Sequence, residues 1–196
     1  PGTALTCSVV IAPDAVPQIP LTWIPLVVGL AVRRATALWI DSHLKWPNDV
    51  VADFPSPDPA WGWGPKIAGI LCERHASGVI VAGIGVNCLR ADFPVPWAAS
   101  IEELAAIAPQ PRDLLPHLGE ALTATLSQPL SRIRAEYQAA SAVVGTDVTV
   151  AVPGGSTQRG RVRGFDHDGA LLLNAPAGEV RITAGDARRI RRTNFM

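Results

Sequence analysis

Lys-Trp-Pro-Asn-Asp-Val at positions 45–50 places a cation, a large aromatic ring, a proline and two small polar side chains in one turn. Pro47 lacks a backbone N–H and favours an extended conformation at Trp46, so a strand through residues 44–46 must end there. Asn48 and Asp49 then fall at the strand exit, where short polar side chains form turns and also reach ligands. By itself the stretch is equally compatible with a simple strand-to-turn junction that carries a solvated lysine.

Two glycine-containing segments follow this stretch. Lys-Ile-Ala-Gly-Ile-Leu at 66–71 and Gly-Ile-Gly-Val-Asn at 83–87 have the composition of strands, and the connection at 75–78 predicts a hairpin between them. Together with the stretch at 45–50, these motifs make the chain similar to the biotin protein ligases in order and spacing. Members of that family make biotinyl-5'-AMP from biotin and ATP, and they pass the biotin to a lysine of a carrier protein.

The resemblance and the residue pattern lead to one fold class, α+β. We expect residues 1–143 to form a catalytic domain of the class II synthetase type, with a mixed sheet flanked by helices. Gly-bearing turns separate short strands towards the carboxyl end, so residues 144–196 are expected to form a small β-barrel. The resemblance implies that this barrel is similar to a Src-homology-3 domain.

Hydrophobic periodicity locates the elements of the larger domain. Besides the hairpin, strands are predicted at 4–12 and 44–46, and helices at 21–38 and 113–140. Thr22 is the expected cap of the first helix. Pro129 is expected to kink or split the second helix, because it removes a backbone donor in the helix interior.

Two local signals complete the expected chain path. The proline-rich segment 53–65 is predicted to be a loop, and its Trp61 and Trp63 are expected to pack against the sheet or, alternatively, to cover the site. Ser100 with Glu103 three residues later predicts a capping box at the start of a short helix.

Charge and cysteine usage limit the possible functions. The chain has 17 basic and 17 acidic side chains, so it has no overall attraction to nucleic acid or to an anionic membrane. The basic run at 188–192 is interpreted as a solvated tail. Cys7, Cys72 and Cys88 lie in apolar segments without metal-ligand spacing, which predicts reduced core thiols and a cytoplasmic protein. The sequence contains no run of roughly 18 apolar residues, so no membrane-spanning helix is predicted.

The predicted chemistry joins two anions. The biotin carboxylate and the α-phosphate of ATP repel each other, so a cation between them would stabilise the charge that grows on phosphorus. By resemblance this cation is Lys66, placed in both the catalytic and the biotin-binding set; otherwise it is a solvated lysine at a strand start. The resemblance also places Gly69 and Ile70 at biotin. Gly69 either lets the ligand approach the backbone or marks a β-bulge, and both roles are compatible.

Five residues are assigned to ATP or the adenylate by the resemblance: Lys45, Asn48, Gly85, Asn87 and Trp97. The carboxamide of Asn87 offers a donor and an acceptor to an adenine edge, unless it only closes a turn. Gly85 leaves one strand face bare. Trp97 is assigned to the segment that covers adenine, and Lys45 contacts phosphate or only supports its turn.

Asp49 is the second predicted catalytic residue, with two roles left open. It either orients Mg²⁺ or helps the carrier lysine to lose its proton before attack. Asn48 is expected to bind a phosphate oxygen or a water held by Mg²⁺, so no direct metal ligand is assigned. The expected small molecules are therefore biotin as substrate, ATP and Mg²⁺, and the expected protein partner is the biotin carboxyl carrier protein of an acyl-CoA carboxylase.

Two alternatives remain at this level. The chain is also compatible with a lipoate ligase or octanoyltransferase, which shares the catalytic fold, although the stretch at 45–50 and the β-rich end argue against it. It is further compatible with a non-catalytic fragment, because the chain begins with Pro1 and lacks the family's biotin-gripping segment and Gly-Arg-rich loop. Such a chain would need a complementing partner; a homodimer is also possible, and no nucleic-acid partner is expected.

Overall fold

The computed structural model describes residues 2–190, which form two five-stranded sheets and four α-helices. Arg191 and Arg192 of the basic run lie outside the described residues. The first sheet has the order β1-β5-β4-β3-β2. Its strands are β1 Ala4–Ile11, β2 Ser42–Lys45, β3 Asp49–Ala52, β4 Lys66–Arg74 and β5 Ile80–Asn87.

The predicted α+β class is confirmed, but the pairing within the first sheet differs from the expected mixed sheet. Every pair of named strands is antiparallel. Within residues 2–190, parallel contacts occur only as the isolated bridges Leu44–Ser141 and Lys66–Ala98. Hairpin connections dominate because β2, β3, β4 and β5 follow one another in sequence and pair as neighbours, which only antiparallel strands with short connections allow.

Strand β3 was not predicted. Asp49 was placed in a turn at a strand exit, whereas it is the first residue of β3 and lies opposite Lys45 in a tight hairpin with β2. All four residues of β3 are buried, so its short sequence lacks the alternation that marks a strand with one solvated face.

Helix α1 (Ile24–Thr36) packs on one face of the first sheet, with Gly29 against the side chains of Ile70 and Leu44. The predicted Thr22 cap is wrong. A 3₁₀ turn at Leu21–Trp23 precedes the helix, and no side chain caps it. Since that turn continues directly into α1, the backbone donors at the helix start already have partners.

The remaining helices are α2 Ile101–Leu104, α3 Pro111–Leu126 and α4 Leu130–Ala140. The split at Pro129 is confirmed, since α3 ends before it and α4 begins directly after it. The capping box is also confirmed: a carboxylate oxygen of Glu103 accepts hydrogen bonds from the backbone N–H and the hydroxyl of Ser100, both at 2.8 Å. No helix within residues 2–190 has the length and apolar character needed to cross a membrane.

The second sheet contains β6 Asp147–Ala151, β7 Thr157–Phe165, β8 Leu171–Ala175, β9 Gly178–Ile182 and β10 Asp186–Arg189. Its order is β10-β6-β7-β8-β9, with antiparallel pairs throughout. Closure into a Src-homology-3-like barrel, and the domain boundary between residues 143 and 144, stay predictions. The interpretation of 188–192 as a tail is wrong for Arg188 and Arg189, which pair with β6 in strand β10.

Three buried indoles connect the two sheets. The Nε1–H group of Trp46 donates to the carbonyl of Gly169 at 3.1 Å, and that of Trp63 donates to Ala187 at 3.0 Å. Trp23, at the start of α1, donates in the same way to His167 at 2.9 Å. The second sheet is therefore attached to the turn at 45–50 through Trp46, to the loop before β4 through Trp63, and to the start of α1 through Trp23.

Candidate functional site

The candidate site lies on the face of the first sheet that does not carry helix α1. Strand register aligns Asp49, Gly69, Gly85 and Thr6 in one row across β3, β4, β5 and β1. Directly paired residues share a face of the sheet, so this row has two side chains flanking two bare backbones. The result is a shallow strip of glycine backbone with a carboxylate at one end.

A groove with a volume of about 370 Å³ follows this strip. Its walls include Thr6, Ser8, Asn48, Lys66, Gly69 and Gly85. A volume of that size is at the lower end of the range typical for small-molecule sites. The side chain of Ile70, which is 2 % exposed, packs towards α1, so this predicted biotin-binding residue faces the groove only through its backbone.

Lys66 reaches this face because strand β4 is irregular. Three positions separate Lys66 from Gly69, so in a regular strand their side chains would point to opposite faces. The pairing with β3 shifts between Val50 and Val51, and this irregularity brings Lys66 to the side of Gly69. A β-carbon added to Gly69 would lie 3.1 Å from the Nζ atom of Lys66. Gly69 therefore makes room for the ammonium group, as the sequence allowed.

The ammonium group of Lys66 is held by Asp49. Its Nζ atom lies 2.5 Å from Oδ1 of Asp49, and the lysine side chain remains 32 % exposed at the groove. Asp49 itself is only 8 % exposed. The cation is thus fixed on the side of the carboxylate and open on the side of the groove, which is the arrangement needed to receive an anionic ligand.

Lys45 has a different environment from Lys66. Its Nζ atom lies 3.1 Å from Oδ2 of Asp49, 2.9 Å from Oδ1 of Asp186 and 4.5 Å from the ring centre of Trp61. The side chain is 1 % exposed. A phosphate could contact it only after displacing one of these partners. Of the two roles left open for Lys45, the geometry favours support of the turn.

The residues do not fit a magnesium ion held directly by Asp49. Each of its two carboxylate oxygens already faces an ammonium group, Lys66 on one and Lys45 on the other. The amide nitrogen of Asn48 donates to the carbonyl of Ile70 at 2.8 Å and ties the turn to β4. A metal bound directly by Asp49 would have to displace one of these two ammonium groups.

Asn87 and Trp97 lie beside the backbone of Lys66. The amide nitrogen of Asn87 donates to the carbonyls of Lys66 at 3.4 Å and Ala99 at 3.2 Å, and the backbone N–H of Lys66 donates to Trp97 at 2.8 Å. The Trp97 ring stacks on Trp61, with ring centres 5.3 Å apart and planes 10° apart. Both residues are thus next to Lys66, and the Trp97 ring already stacks on Trp61.

The predicted packing role of the two loop tryptophans fits the structure. Trp61 and Trp63 are each 3 % exposed. Sequence reasoning did not find that Trp61 borders Lys45, nor that Asp186 from β10 reaches the same ammonium group. No local signal indicates either contact, because both depend on how the loop and the second sheet fold back onto β2.

Burial raises the pKa of two thiols and one phenol near the site. Burial raises the pKa of the Cys7 thiol, which lines the groove, and raises that of Cys72 to about 11. Burial also raises the pKa of Tyr137, and the negative charge of Asp49 raises it further. At neutral pH these groups are therefore protonated. They supply neither a thiolate nucleophile nor a phenolate base.

A second cluster of possible metal ligands lies in the turn between β7 and β8. Asp166, His167 and Asp168 bring one ligand atom each within 4.8 Å of the others. Hydrogen bonds from Arg181 to both carboxylates and from His167 to Asp166 lower the pKa of Asp166, so the anions already have cationic partners. This cluster is accounted for by its internal ion pairs.

Comparison with known proteins identifies relatives for the whole fold. The sequence profile of the biotin protein ligase C terminal domain matches residues 144–187. A biotin--[acetyl-CoA-carboxylase] ligase of Mycobacterium tuberculosis is 34 % identical over 178 residues, which cover 86 % of this chain and 63 % of the relative. A protein of the same name from Paracoccus denitrificans is 32 % identical over 177 residues, covering 81 % of this chain and 66 % of the relative. The chain thus spans slightly less than two thirds of either relative.

A solved structure of a biotin protein ligase has a similar fold. A biotin protein ligase from Aquifex aeolicus in complex with biotin and ATP superimposes with a TM-score of 0.78 at 22 % identity. The superposition covers 97 % of this chain and 79 % of the other. At this identity the likeness concerns the arrangement of both sheets and their helices.

Proposed function

We propose that this chain, which is similar to biotin protein ligases over most of its length, carries the site that activates biotin with ATP and transfers it to a carrier protein. In the first step a biotin carboxylate oxygen attacks the α-phosphorus, pyrophosphate leaves, and biotinyl-5'-AMP forms. In the second step the amine of a carrier lysine attacks the acyl carbon and AMP leaves. The observation that carries this proposal is the half-exposed Lys66 ammonium group at the end of a bare glycine strip.

Lys66 is the group that offsets the charge of the reactants. Its ammonium group is anchored by Asp49 and open towards the groove, so it can contact the biotin carboxylate and an α-phosphate oxygen at once. A fixed cation beside the reacting phosphorus stabilises the charge of the transition state without reorganisation. Gly69 and Gly85 form the floor along which the ligand lies.

Asp49 acts in this proposal by positioning Lys66. Both of its carboxylate oxygens already face ammonium groups, so an incoming amine would have to displace one of them, and the geometry gives less support to a role of Asp49 as base for the carrier lysine. Mg²⁺, which the family resemblance implies, would accompany the phosphates of ATP rather than bind Asp49. Asn48 is close enough to the groove to contact a phosphate through its amide oxygen.

The adenine end is assigned to the region of Asn87. Asn87 and Trp97 lie beside the start of β4 next to Lys66, and Gly85 precedes Asn87 by two residues in β5 and lies opposite Gly69. The amide oxygen of Asn87 is available for the exocyclic amine of adenine. Trp97 contributes an aromatic surface whose stacking on a base would stabilise binding by about 1–3 kcal/mol.

The proposed protein partner is a biotin carboxyl carrier protein of an acyl-CoA carboxylase, in line with the names of the two curated relatives. A homodimer, a complementing chain and a cytoplasmic location stay predictions.

The test of this function is ligand-dependent thermal unfolding followed by a transfer assay. Saturating biotin with ATP is expected to raise the midpoint by several degrees, since ligand at a hundredfold over its dissociation constant adds about 2.7 kcal/mol. Lipoate with ATP is the matched control and is expected to have little effect. Transfer of biotin to a carrier protein is then measured by avidin blot.

Each alternative function has its own outcome in this test. Stabilisation by lipoate instead of biotin would assign the chain to the lipoate ligases. Stabilisation by biotin without transfer, restored when the amino-terminal segment of the Mycobacterium tuberculosis relative is added, would indicate a chain that needs a complement. Stabilisation by neither ligand would contradict the proposal.

A further inference from the structure

The ammonium group of Lys45 is enclosed by residues from three separate parts of the chain. Asp49 belongs to β3, Trp61 to the loop before β4, and Asp186 is the first residue of β10 in the second sheet. A buried ammonium group requires compensating negative charge, because it has lost its hydration. Lys45 obtains that charge from two carboxylates, and only one of them belongs to the sheet that carries the site.

Asp186 is held in place independently of Lys45. Its strand pairs with β6 in regular register, with Asp186 opposite Ala151. The next residue, Ala187, accepts the indole hydrogen bond of Trp63 at 3.0 Å, which fixes β10 against the loop. The other carboxylate oxygen of Asp186 faces the Nε atom of Arg188 at 3.4 Å. The carboxylate therefore approaches Lys45 from a backbone that is anchored on two sides.

The contact with Asp186 bears on Lys66 through the shared partner Asp49. One carboxylate serves both lysines, with Oδ1 facing Lys66 and Oδ2 facing Lys45. With Asp186 present, Lys45 has a second anion and does not depend on Asp49 alone. Without Asp186, the buried Lys45 would draw Asp49 towards itself, and Lys66 would lose part of its only ionic anchor within residues 2–190.

We propose that Asp186 is a positioning residue of the adenylation site, acting through Lys45 and Asp49 on the ammonium group of Lys66. This inference rests on the proposed function and extends it. The second sheet is then part of the catalytic arrangement, since one of its carboxylates sets how Asp49 is shared. Asp186 is 45 % exposed and negatively charged, so it does not itself bind the phosphates.

The first experiment compares Asp186→Asn, Asp186→Glu and the control Glu179→Gln. Glu179 is a carboxylate of the same sheet that pairs with Arg163, remote in sequence from the site residues. Biotin-dependent exchange of labelled pyrophosphate into ATP is measured for each. Asp186→Asn is expected to lower kcat about ten- to a hundredfold, as expected when a reacting group is misplaced by an ångström or less. Asp186→Glu is expected to restore part of the rate, and Glu179→Gln to leave it unchanged.

The second experiment measures Lys66 directly and does not require activity. The rate of acetylation of Lys66 by an N-hydroxysuccinimide ester is followed by peptide mass spectrometry in the same variants. Loss of its share of Asp49 releases the Lys66 amine from its ion pair and makes it more accessible to the ester, so Asp186→Asn is expected to raise this rate several-fold, and Glu179→Gln is not. Melting curves confirm that the variants remain folded at the temperature of labelling.

The two readouts separate the inference from the function on which it rests. An unchanged Lys66 acetylation rate in Asp186→Asn would overturn the inference, and so would an unchanged kcat in an active protein. Absence of exchange in the parent chain together with a changed acetylation rate would reject the proposed function and leave the coupling between Asp186 and Lys66 standing.

Discussion

Asp49 is the residue on which the two lysines of the site converge. Its carboxylate is 8 % exposed and has one ammonium group at each oxygen, so it neutralises a buried cation and anchors a reactive one at once. In the proposed function the same side chain therefore contributes to stability through Lys45 and to chemistry through Lys66. Changing it should affect both properties together.

Asp49→Asn tests this double role. Replacing the carboxylate by an amide leaves Lys45 with Asp186 as its remaining anion, and we expect a loss of stability of about 3 kcal/mol, the lower end for breaking a buried pair. Adenylate formation should fall as well, because Lys66 loses its anchor. Urea unfolding and pyrophosphate exchange measure the two effects. A variant that forms adenylate normally and is slow only in transfer to the carrier would instead support Asp49 as the base.

Gly85→Val tests whether the glycine strip is the ligand floor. A β-carbon at Gly85 meets no atom within 4 Å, so the fold should accept the larger side chain with little change in melting temperature. The new methyl groups would occupy the groove, and the affinity for ATP in the presence of biotin should fall more than tenfold, or by about 1.4 kcal/mol or more. Gly119→Val, also in open space but on α3, is the control and should bind normally. Equal affinity of both variants in calorimetry would place the ligand elsewhere.

For individual residues, the sequence predicted which side chains lie together at the candidate site, but not the partners that surround each of them. The three motifs place Lys66, Asp49 and Gly69 together, and the structure brings them together. Lys45 was assigned to ATP, yet it is enclosed, because its surroundings include Asp186 and Trp61 from distant segments. Such contacts are fixed by tertiary folding and leave no trace in local spacing.

Among the elements, the two strands that border the site were the ones missed. β3 is short and buried on both faces, so it lacks alternation, and β10 contains charged residues that suggest a solvated tail. Elements with strong periodicity, such as α1 and the hairpin of β4 and β5, were predicted nearly to their ends. Local sequence patterns therefore identified the long elements of the fold. The short strands β3 and β10 are recognised only from their pairing with neighbouring strands.

The turn between β7 and β8 illustrates how one element is fitted to another. Gly169 has a φ of +83°, and a β-carbon there would lie 2.9 Å from Leu26 and 3.5 Å from the carbonyl of Thr22. Gly78 has a similar φ of +92° in open space. Both glycines have a left-handed backbone that would be strained for an alanine. Only Gly169 also packs against helix α1.

Gly169→Ala is therefore expected to destabilise the protein more than Gly78→Ala. The strain of a left-handed backbone costs about 1–2 kcal/mol for either alanine, and the overlap with Leu26 adds about 1–3 kcal/mol at Gly169 alone. Urea midpoints of the two variants give the difference. Equal midpoints would show that the turn does not press against α1 in solution.

For the whole molecule, the attachment of the second sheet is the property that matters most. Indole donors from Trp23, Trp46 and Trp63 bind backbone carbonyls of that sheet, and the ion pair of Lys45 with Asp186 joins it to the site. The composition shift in the sequence predicted that a separate β-rich unit exists. It did not predict that buried polar contacts tie this unit to the turn at 45–50.

Trp46→Phe tests that attachment. Phenylalanine retains most of the apolar volume but leaves the carbonyl of Gly169 without its buried donor, which should cost about 1–3 kcal/mol. We expect a lower urea midpoint by circular dichroism and a single transition that includes both sheets. Trp39→Phe removes an indole that is only half-buried and serves as control. Two separate transitions in the parent chain would show that the sheets unfold independently.

The central claim is that the Lys66 ammonium group joins two anionic reactants, and pyrophosphate exchange in Lys66→Ala measures it most directly. Since Lys66 is partly exposed, the variant should keep its circular dichroism spectrum and melting temperature. Biotin-dependent exchange should fall by about a hundred- to a thousandfold, as on removal of a fixed transition-state partner. Exchange at the parent rate in a folded Lys66→Ala protein would contradict the account.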